Sequence, residues 1–307
     1  MHNHGLSIVV CTYNRKKFIL NCLRALDRQT LNKEKFEIIV VDNNSTDDSS
    51  FIINDFIKLH PQLHCRYVFV ARKGLAFARN QGIAHTKYGL VTYIDDDTET
   101  TPEFAETILN FMQLHPEVAG VGGRVLPLFS ESDEPAWISK YLAGFLGIVD
   151  YGLRARLYKR NMKYPAGCNM TYRKELIIQV VGFNNKLTFR SDDKQIYYSI
   201  RKLNHAVYYL PEAVLYHNID AARLQFASFK KVFIETGRGE YLRVSSGQGS
   251  AAIVLKLSEY LCKFGASLAI WLLFCLKGKE FSGRYVAYSQ WYTLKGFFTK
   301  NVHAGKQ

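Results

Sequence analysis

A mainly parallel α/β sheet with helices on both faces, followed by a helical C-terminal extension, is the architecture this sequence predicts. The first observation is an alternation of short β-branched apolar runs with helix-period segments over the first hundred residues: LSIVVC, Arg15 to Arg28, EIIVV, Asp47 to Leu59, CRYVFV, Leu75 to His85 and LVTYI. Strand, helix, strand at this spacing makes right-handed crossovers, and apolar runs without alternation belong to strands buried on both faces. The second is size: 307 residues with 48% hydrophobic content can bury a full core. The third is a composition shift near Asp220, where acidic residues thin out and helix-period apolar segments take over. It divides the chain into residues 1–220 and a basic, helical extension over 221–307.

Each apolar run ends on polar residues. Thr12-Tyr13-Asn14 follow the first, Asp42-Asn43-Asn44-Ser45 the second, Arg72-Lys73-Gly74 the third and Asp95-Asp96-Asp97 the fourth. In open parallel sheets ligands bind outside the carboxyl ends of the strands, so these positions are where chemistry is expected. After Pro102 a helix to about His115 leads into VAGVGGRVLP, a strand in which Gly122 and Gly123 permit close backbone approach. Leu126 to Tyr164 is too long for a plain connection and reads as a partly helical excursion shaping a pocket. Regular pattern returns with AGCNMTYRKELIIQVVGF, then a helix from Asp192 to Leu203 capped by Ser191 or Asp192, then a strand pair around AVYYL and AVLYH.

Three consecutive carboxylates at the end of a buried strand repel one another unless a cation sits there. Oxygen ligands suit Mg²⁺ or Mn²⁺, which share their shell with substrate phosphates. Alternate residues of an extended segment point the same way, so Asp95 and Asp97 are expected to face one site while Asp96 turns aside. A solvated acidic turn before the helix is the plainer explanation of the same run. Asp42 ends a second strand, and its carboxylate can accept hydrogen bonds from a base N–H or ribose hydroxyls, whereas the Asn and Ser residues after it suit a turn and helix cap. Arg72, Lys73 and Arg79 add positive charge on the same edge, as a diphosphate needs.

VVCTYNR (9 to 15), EIIVVDNNSTDDS (37 to 49), RKGLAFARNQGI (72 to 83), YIDDD (93 to 97), GCNMTYRKEL (167 to 176), SDDKQIYYSIRKL (191 to 203) and LPEAVLYH (210 to 217), in that order, resemble the motifs of family 2 glycosyltransferases of the GT-A fold. The resemblance implies an inverting transfer of a sugar from a nucleotide-diphosphate sugar, with a UDP-sugar the commonest case. It implies that Asp42 and the loop Thr12, Tyr13, Asn14 and Arg15 hold the nucleoside, that Lys73 and Arg79 lie near the nucleotide, and that Asp95-x-Asp97 is the metal and diphosphate motif, with Asp95 and Asp96 also on the donor side. Asp97 is then the first choice as direct metal ligand, with Asp95 and His217 beside it and Mn²⁺ or Mg²⁺ as the cofactor. The family's Glu-Asp pair stands here as Asp192-Asp193, which makes Asp193 the expected base. The shortening at 192 leaves open which carboxylate takes the proton. Trp137 and the turn Gly167, Cys168, Asn169 are candidates for the acceptor pocket, because aromatics stack on sugar faces, although core packing explains them as well. A glycan or lipid-linked saccharide is the acceptor class implied.

The net charge is +13, and from Ala221 onward thirteen basic residues face four acidic ones, so +9 of it lies in the extension. Phe264 to Leu276 is an uncharged apolar run of 13 residues, too short to span a bilayer unaided. With Lys263, Lys277 and Lys279 flanking it, the run suits a segment lying in the interface of an anionic leaflet, or a buried helix packing back on the rest of the chain. The six cysteines show no CxxC spacing and the N-terminus lacks a signal-peptide layout, so a reduced, cytoplasmic protein is expected, peripheral at the inner face of the membrane if the first option holds. A nucleotidyltransferase would use a similar sheet, metal and diphosphate, but its glycine-rich loop with a lysine does not follow the first strand. A non-catalytic nucleotide-sugar or polyanion-binding protein is supported by the basic tail and would leave Asp192-Asp193 without a task. Nucleic acid is not an expected partner, because the cations gather beside an apolar run instead of forming a basic and aromatic face.

Overall fold

The computed structural model describes residues 4–129, 133–159, 162–187, 191–245 and 249–299. The end of the expected extension, with Lys300 and Lys306, lies outside the described residues. The chain falls into two compact units. The first comprises residues 1–128, 147–185 and 192–218, and the second residues 129–146, 186–191 and 219–307.

In the first unit β1 (Leu6–Thr12), β2 (Phe36–Asp42), β3 (Cys65–Phe69) and β4 (Leu90–Asp95) form a parallel set in the order β3-β2-β1-β4. Every residue of β1 and β2 is buried, which requires cover on both faces and explains their uninterrupted apolar runs. The intervening helices are α1 (Ile19–Asp27), α2 (Ser49–Leu59) and α3 (Leu75–Ala84). A Cβ added to Gly82 of α3 would lie 2.4 Å from Val9 Cγ1, so the glycine lets helix and sheet meet closely. Beyond β4 the sheet continues with antiparallel partners: β8 (Asn169–Arg173) beside β4, then β6 (Val118–Phe129), β9 (Ala206–Ile219) and β5 (Thr98–Thr100), with β7 (Arg156–Leu157) also on β9. Thus β4 and β5, consecutive in sequence, pair with different strands on either side of the Asp96-Asp97 turn.

The helix expected after Pro102 is α4 (Phe104–Leu114), α5 (Lys174–Gln179) follows β8, and α6 (Asp192–Arg201) begins at Asp192 with Ser191 before it at φ +82°. Gly123 is a close approach as expected: a Cβ there would lie 2.1 Å from the Ala213 carbonyl. The expected strand pair around AVYYL and AVLYH is instead the single 14-residue strand β9. Pro211 falls between the stretch paired with β7 (Tyr208, Tyr209) and the stretch paired with β5 (Leu215 to His217), so its missing N–H interrupts neither ladder.

The second unit holds a 3₁₀ segment (Lys140–Phe145), α7 (Ala221–Leu224), α8 (Phe226–Ser245), α9 (Gly249–Leu276) and α10 (Glu280–Phe298), with α8, α9 and α10 packed on one another. Aromatic side chains make part of this core: Trp137 stacks on Tyr285 at 4.4 Å and meets Phe229 edge-on at 5.7 Å. The uncharged run is the second half of a continuous 28-residue helix, α9. Among the described residues it is the one helix long and apolar enough to cross a membrane by length and composition, and only 11% of its apolar window is buried. Leu268, Leu272, Leu273 and Leu276 of this segment are exposed.

Candidate functional site

The carboxyl ends of β1, β2 and β4 carry the predicted residues. Asp42, buried at the end of β2, accepts from the Ser45 backbone N–H at 2.8 Å through Oδ1 and from the Tyr67 hydroxyl at 2.8 Å through Oδ2. The Thr12 carbonyl accepts from Asn43 N at 2.8 Å, joining the first two strand ends. Asn14 sits at φ +54°, a conformation asparagine tolerates, and its Oδ1 accepts from Thr46 N at 2.7 Å. Tyr13 is exposed, and Lys73 Nζ reaches its hydroxyl at 2.8 Å. Asn43 holds the loop before α3 by donating to the Arg72 carbonyl and accepting from Gly74 N, both at 2.7 Å.

The acidic run is arranged differently from the two-residue alternation expected of it. β4 ends at Asp95 and the chain turns over Asp96-Asp97, so alternation stops there and Asp96 does not turn aside. Instead Arg15 lies against both, with Nε 3.7 Å from Asp96 Oδ1 and Nη2 3.7 Å from Asp97 Oδ2. Asp97 Oδ1 is 3.2 Å from His217 Nε2, and both side chains are buried. The pairing of Thr98 with His217 between β5 and β9 produces this contact across more than a hundred residues. Gly147, at φ +74°, packs behind the imidazole, since a Cβ there would lie 3.1 Å from His217 Nδ1.

Burial pushes the Asp96 carboxyl well above the usual carboxylate range; repulsion from Asp97 adds to this, and Arg15 opposes it. Burial likewise raises Asp95, against the pull of Arg79. The run is thus short of compensating positive charge. Asp97 with His217, and Asp95 near by, offers hard oxygen and imidazole donors of the kind Mn²⁺ or Mg²⁺ accepts. Among the described residues no group of three or more His, Cys, Asp or Glu is gathered closely enough to hold a metal ion alone. Mn²⁺ and Mg²⁺ commonly complete their shells with phosphate oxygens and water.

Arg79, on α3, is 3% exposed and fully engaged. Nη1 donates to Asp192 Oδ2 at 2.5 Å, and Nη2 donates to Asp95 Oδ1 at 3.3 Å and to the Gly167 carbonyl at 3.0 Å. Burial opposes its charge, but Asp192 and Asp95 outweigh that and hold the guanidinium above its ordinary pKa. Gly167 has no Cβ to obstruct this, as one would lie 2.7 Å from Nη2. Expected as a nucleotide-side cation, Arg79 is in place a tie between α3, β4, the Gly167 turn and α6. Asp192 is buried in that tie, whereas the half-buried Asp193 accepts from Gly167 N at 3.2 Å and from Lys194 N at 2.7 Å.

Trp137 is packed among aromatics of the second unit. Cys168 is buried, and Asn169 Nδ2 donates to the Arg124 and Ala213 carbonyls, so core packing accounts for both side chains. Sequence reasoning missed Tyr67 and Asn43. The signal for Tyr67 was present: Phe69 pairs with Asp42, and Tyr67, two residues earlier on β3, shares that face.

The model of the Glycosyl transferase family 2 matches residues 7–181. Among curated proteins, a glucosyl-dolichyl phosphate glucuronosyltransferase of Haloferax volcanii is 23% identical over 62% of this chain and 59% of its own length. A poly(ribitol-phosphate) beta-glucosyltransferase of Bacillus spizizenii is 31% identical over 42% of this chain and 22% of its own. The chain thus spans between 22% and 59% of the length of these two relatives. Among solved structures, the mannosyltransferase PcManGT from Pyrobaculum calidifontis, in complex with GDP-Man and Mn²⁺, superposes with a TM-score of 0.61 at 17% identity, covering 94% of this chain and 86% of that one. S. aureus TarS residues 1–349 in complex with UDP gives 0.54 at 16% identity, covering 93% and 90%. The fold is that of these GT-A glycosyltransferases, and this chain ends its described part in the helices α8, α9 and α10.

Proposed function

The chain belongs to glycosyl transferase family 2, and on that premise we propose that it transfers a sugar from a nucleotide-diphosphate sugar, a UDP-sugar first, to a hydroxyl of a glycan or lipid-linked saccharide, with inversion at the anomeric carbon. The observation that carries this reading is the buried Asp97–His217 contact of 3.2 Å within the carboxylate run at the end of β4, tied through Arg79 to the Asp192-Asp193 pair. Relatives named for transfer to dolichyl phosphate sugars and poly(ribitol phosphate) support the acceptor class.

In this reading Asp42, oriented by Tyr67 and Ser45, and the loop from Thr12 to Arg15 receive the nucleoside, with Lys73 at its edge. Asp97, His217 and Asp95 would hold Mn²⁺ or Mg²⁺, which when bound supplies positive charge to the departing diphosphate. Asp193 takes the proton of the acceptor hydroxyl as the acceptor oxygen bonds to the anomeric carbon and the bond to the diphosphate oxygen breaks. Backbone N–H groups of Gly167 and Lys194 hold its two oxygens, which fixes the carboxylate's direction. Asp192, committed to Arg79, serves as a positioning residue. Residues 1–220 would form the catalytic part and 221–307 an extension, in a cytoplasmic protein at the inner face of a membrane.

The test is nucleoside diphosphate release from a panel of UDP- and GDP-sugars with Mn²⁺ and lipid-linked or glycan acceptors. Acceptor-dependent release by the wild type that falls about 10²–10⁴-fold in Asp193→Asn, with nucleotide affinity retained, supports the reading. Equal release by the variant, or none from any donor while UDP is not bound, counts against it.

A further inference from the structure

Helix α9 presents Val254, Leu261, Leu268, Leu272 and Leu276 to solvent along one line, and Leu255 and Leu273 widen it. Leu272 is 65% and Leu276 79% exposed, high values for leucines that nothing else in the fold requires at the surface. From Phe264 to Leu276 no residue on any face is charged. A seam for a second helix would be a narrow stripe flanked by charged positions, whereas this side is apolar across its whole width. Charge returns only at the ends of the run. Lys263 precedes it, and the exposed Lys277 and Lys279 follow it, with Arg284 on α10 and Glu280 as the one acidic residue up to that point. Gly278, at φ +67°, closes α9, and Phe281 at the start of α10 is an exposed aromatic.

A broad apolar face bounded by cations is what the interface of an anionic leaflet receives. The 13 uncharged residues measure about 20 Å at 1.5 Å each, against a hydrocarbon core of about 30 Å. The first half of α9 carries the charges that its second half lacks: Lys256 lies 3.4 Å from the buried Glu240 of α8 and 2.8 Å from Glu259, which also pairs with Lys263. We propose that the second half of α9, with Phe281, lies in the plane of an anionic membrane interface, Leu272, Leu273 and Leu276 inserted and Lys277 and Lys279 against lipid phosphates. This surface deepens the membrane location proposed above, and vesicle binding is read separately from sugar transfer, so either can fail without the other.

The full-length protein is sedimented with vesicles of phosphatidylcholine alone and of phosphatidylcholine mixed with phosphatidylglycerol. Binding to the mixed vesicles only is expected, weakened about fivefold for each of Lys277→Ala and Lys279→Ala, and abolished by Leu272→Glu/Leu276→Glu in protein whose circular dichroism is unchanged. The exposed Cys275 and Cys262 report the same event: a charged maleimide should label both in solution, and Cys275 should be shielded by the mixed vesicles. Failure to bind either vesicle, or vesicle binding unaffected by the leucine pair, overturns the proposal. Shielding of Cys275 without vesicles, in a dimer that Leu272→Glu dissociates, overturns it in favour of a second copy of the chain. Resistance to alkaline carbonate extraction overturns the in-plane placement in favour of a span.

Discussion

Arg79 Nη1 lies 2.5 Å from Asp192 Oδ2, joining α3 to the first turn of α6 across 113 residues of sequence, with both side chains buried. Removing one partner of such a pair leaves an uncompensated buried charge. Arg79→Met should therefore destabilise the protein by about 3–5 kcal/mol, read from the urea midpoint. Arg79→Lys keeps the charge but loses the fork that reaches Asp192, Asp95 and the Gly167 carbonyl together, and should fall between the two. A midpoint for Arg79→Met within error of the wild type would mean that the tie does not carry the arrangement around Asp193.

Stability without metal should depend on pH through Asp96. Its native pKa is raised by burial and by Asp97, so above about pH 3.9 the unfolded chain loses this proton first and the native state binds more protons. Stability then falls as pH rises from the unfolded carboxylate value through the raised native one. In EDTA, denaturation curves across acid to neutral pH should show this fall, and Asp96→Asn should reduce it. An unchanged slope in the variant would assign the dependence to other groups.

Gly147→Ala should disturb His217 specifically. The new Cβ would press to 3.1 Å from Nδ1, and an L-residue at φ +74° costs about 1–2 kcal/mol. Metal-dependent nucleotide affinity should drop while metal-free nucleotide binding through Asp42 changes little. Calorimetric titration with and without Mn²⁺ separates the two, and an equal loss in both would point to general damage.

Thiol chemistry should sort the six cysteines. Burial pushes Cys11 up to about 12, with Asp95, Asp96 and Asp192 adding to the shift and Arg79 opposing it, and burial takes Cys65 to about 12 as well, while Cys262 and Cys275 are exposed. Near neutral pH the thiolate is the reactive form. Two thiols per chain should therefore titrate quickly with a soluble disulfide reagent, and the other four only after denaturation. Fast reaction of Cys11 would contradict the packing at the end of β1.

Local periodicity made the parallel part of the sheet legible: fully buried strands leave uninterrupted apolar runs, and their polar ends mark one edge. What local pattern could not show was the point where β4 stops. Two-residue alternation holds only within the strand, and the turn that begins after Asp95 brings Asp96 beside Arg15 along with Asp97. The His217–Asp97 contact arises from β5–β9 pairing, which no periodicity encodes, and was reached only by resemblance to a family motif. The partners of Arg79 lie 16, 88 and 113 residues away, so its burial was invisible in a sequence where it reads as one more cation. Trp137 shows the converse: an aromatic in an irregular stretch reads equally as a binding residue or as core, and its stacking on Tyr285, 148 residues away, is invisible to local pattern.

A metal-assisted nucleotide-diphosphate site built on Asp42, Asp97 and His217 can be tested by calorimetric titration of UDP, with GDP alongside, with and without Mn²⁺, into the wild type and Asp97→Ala. Mn²⁺ should strengthen nucleotide binding to the wild type, and Asp97→Ala should abolish the gain without unfolding. Nucleotide binding that is indifferent to Mn²⁺ and to Asp97, or absent from folded wild-type protein under every condition, would contradict it.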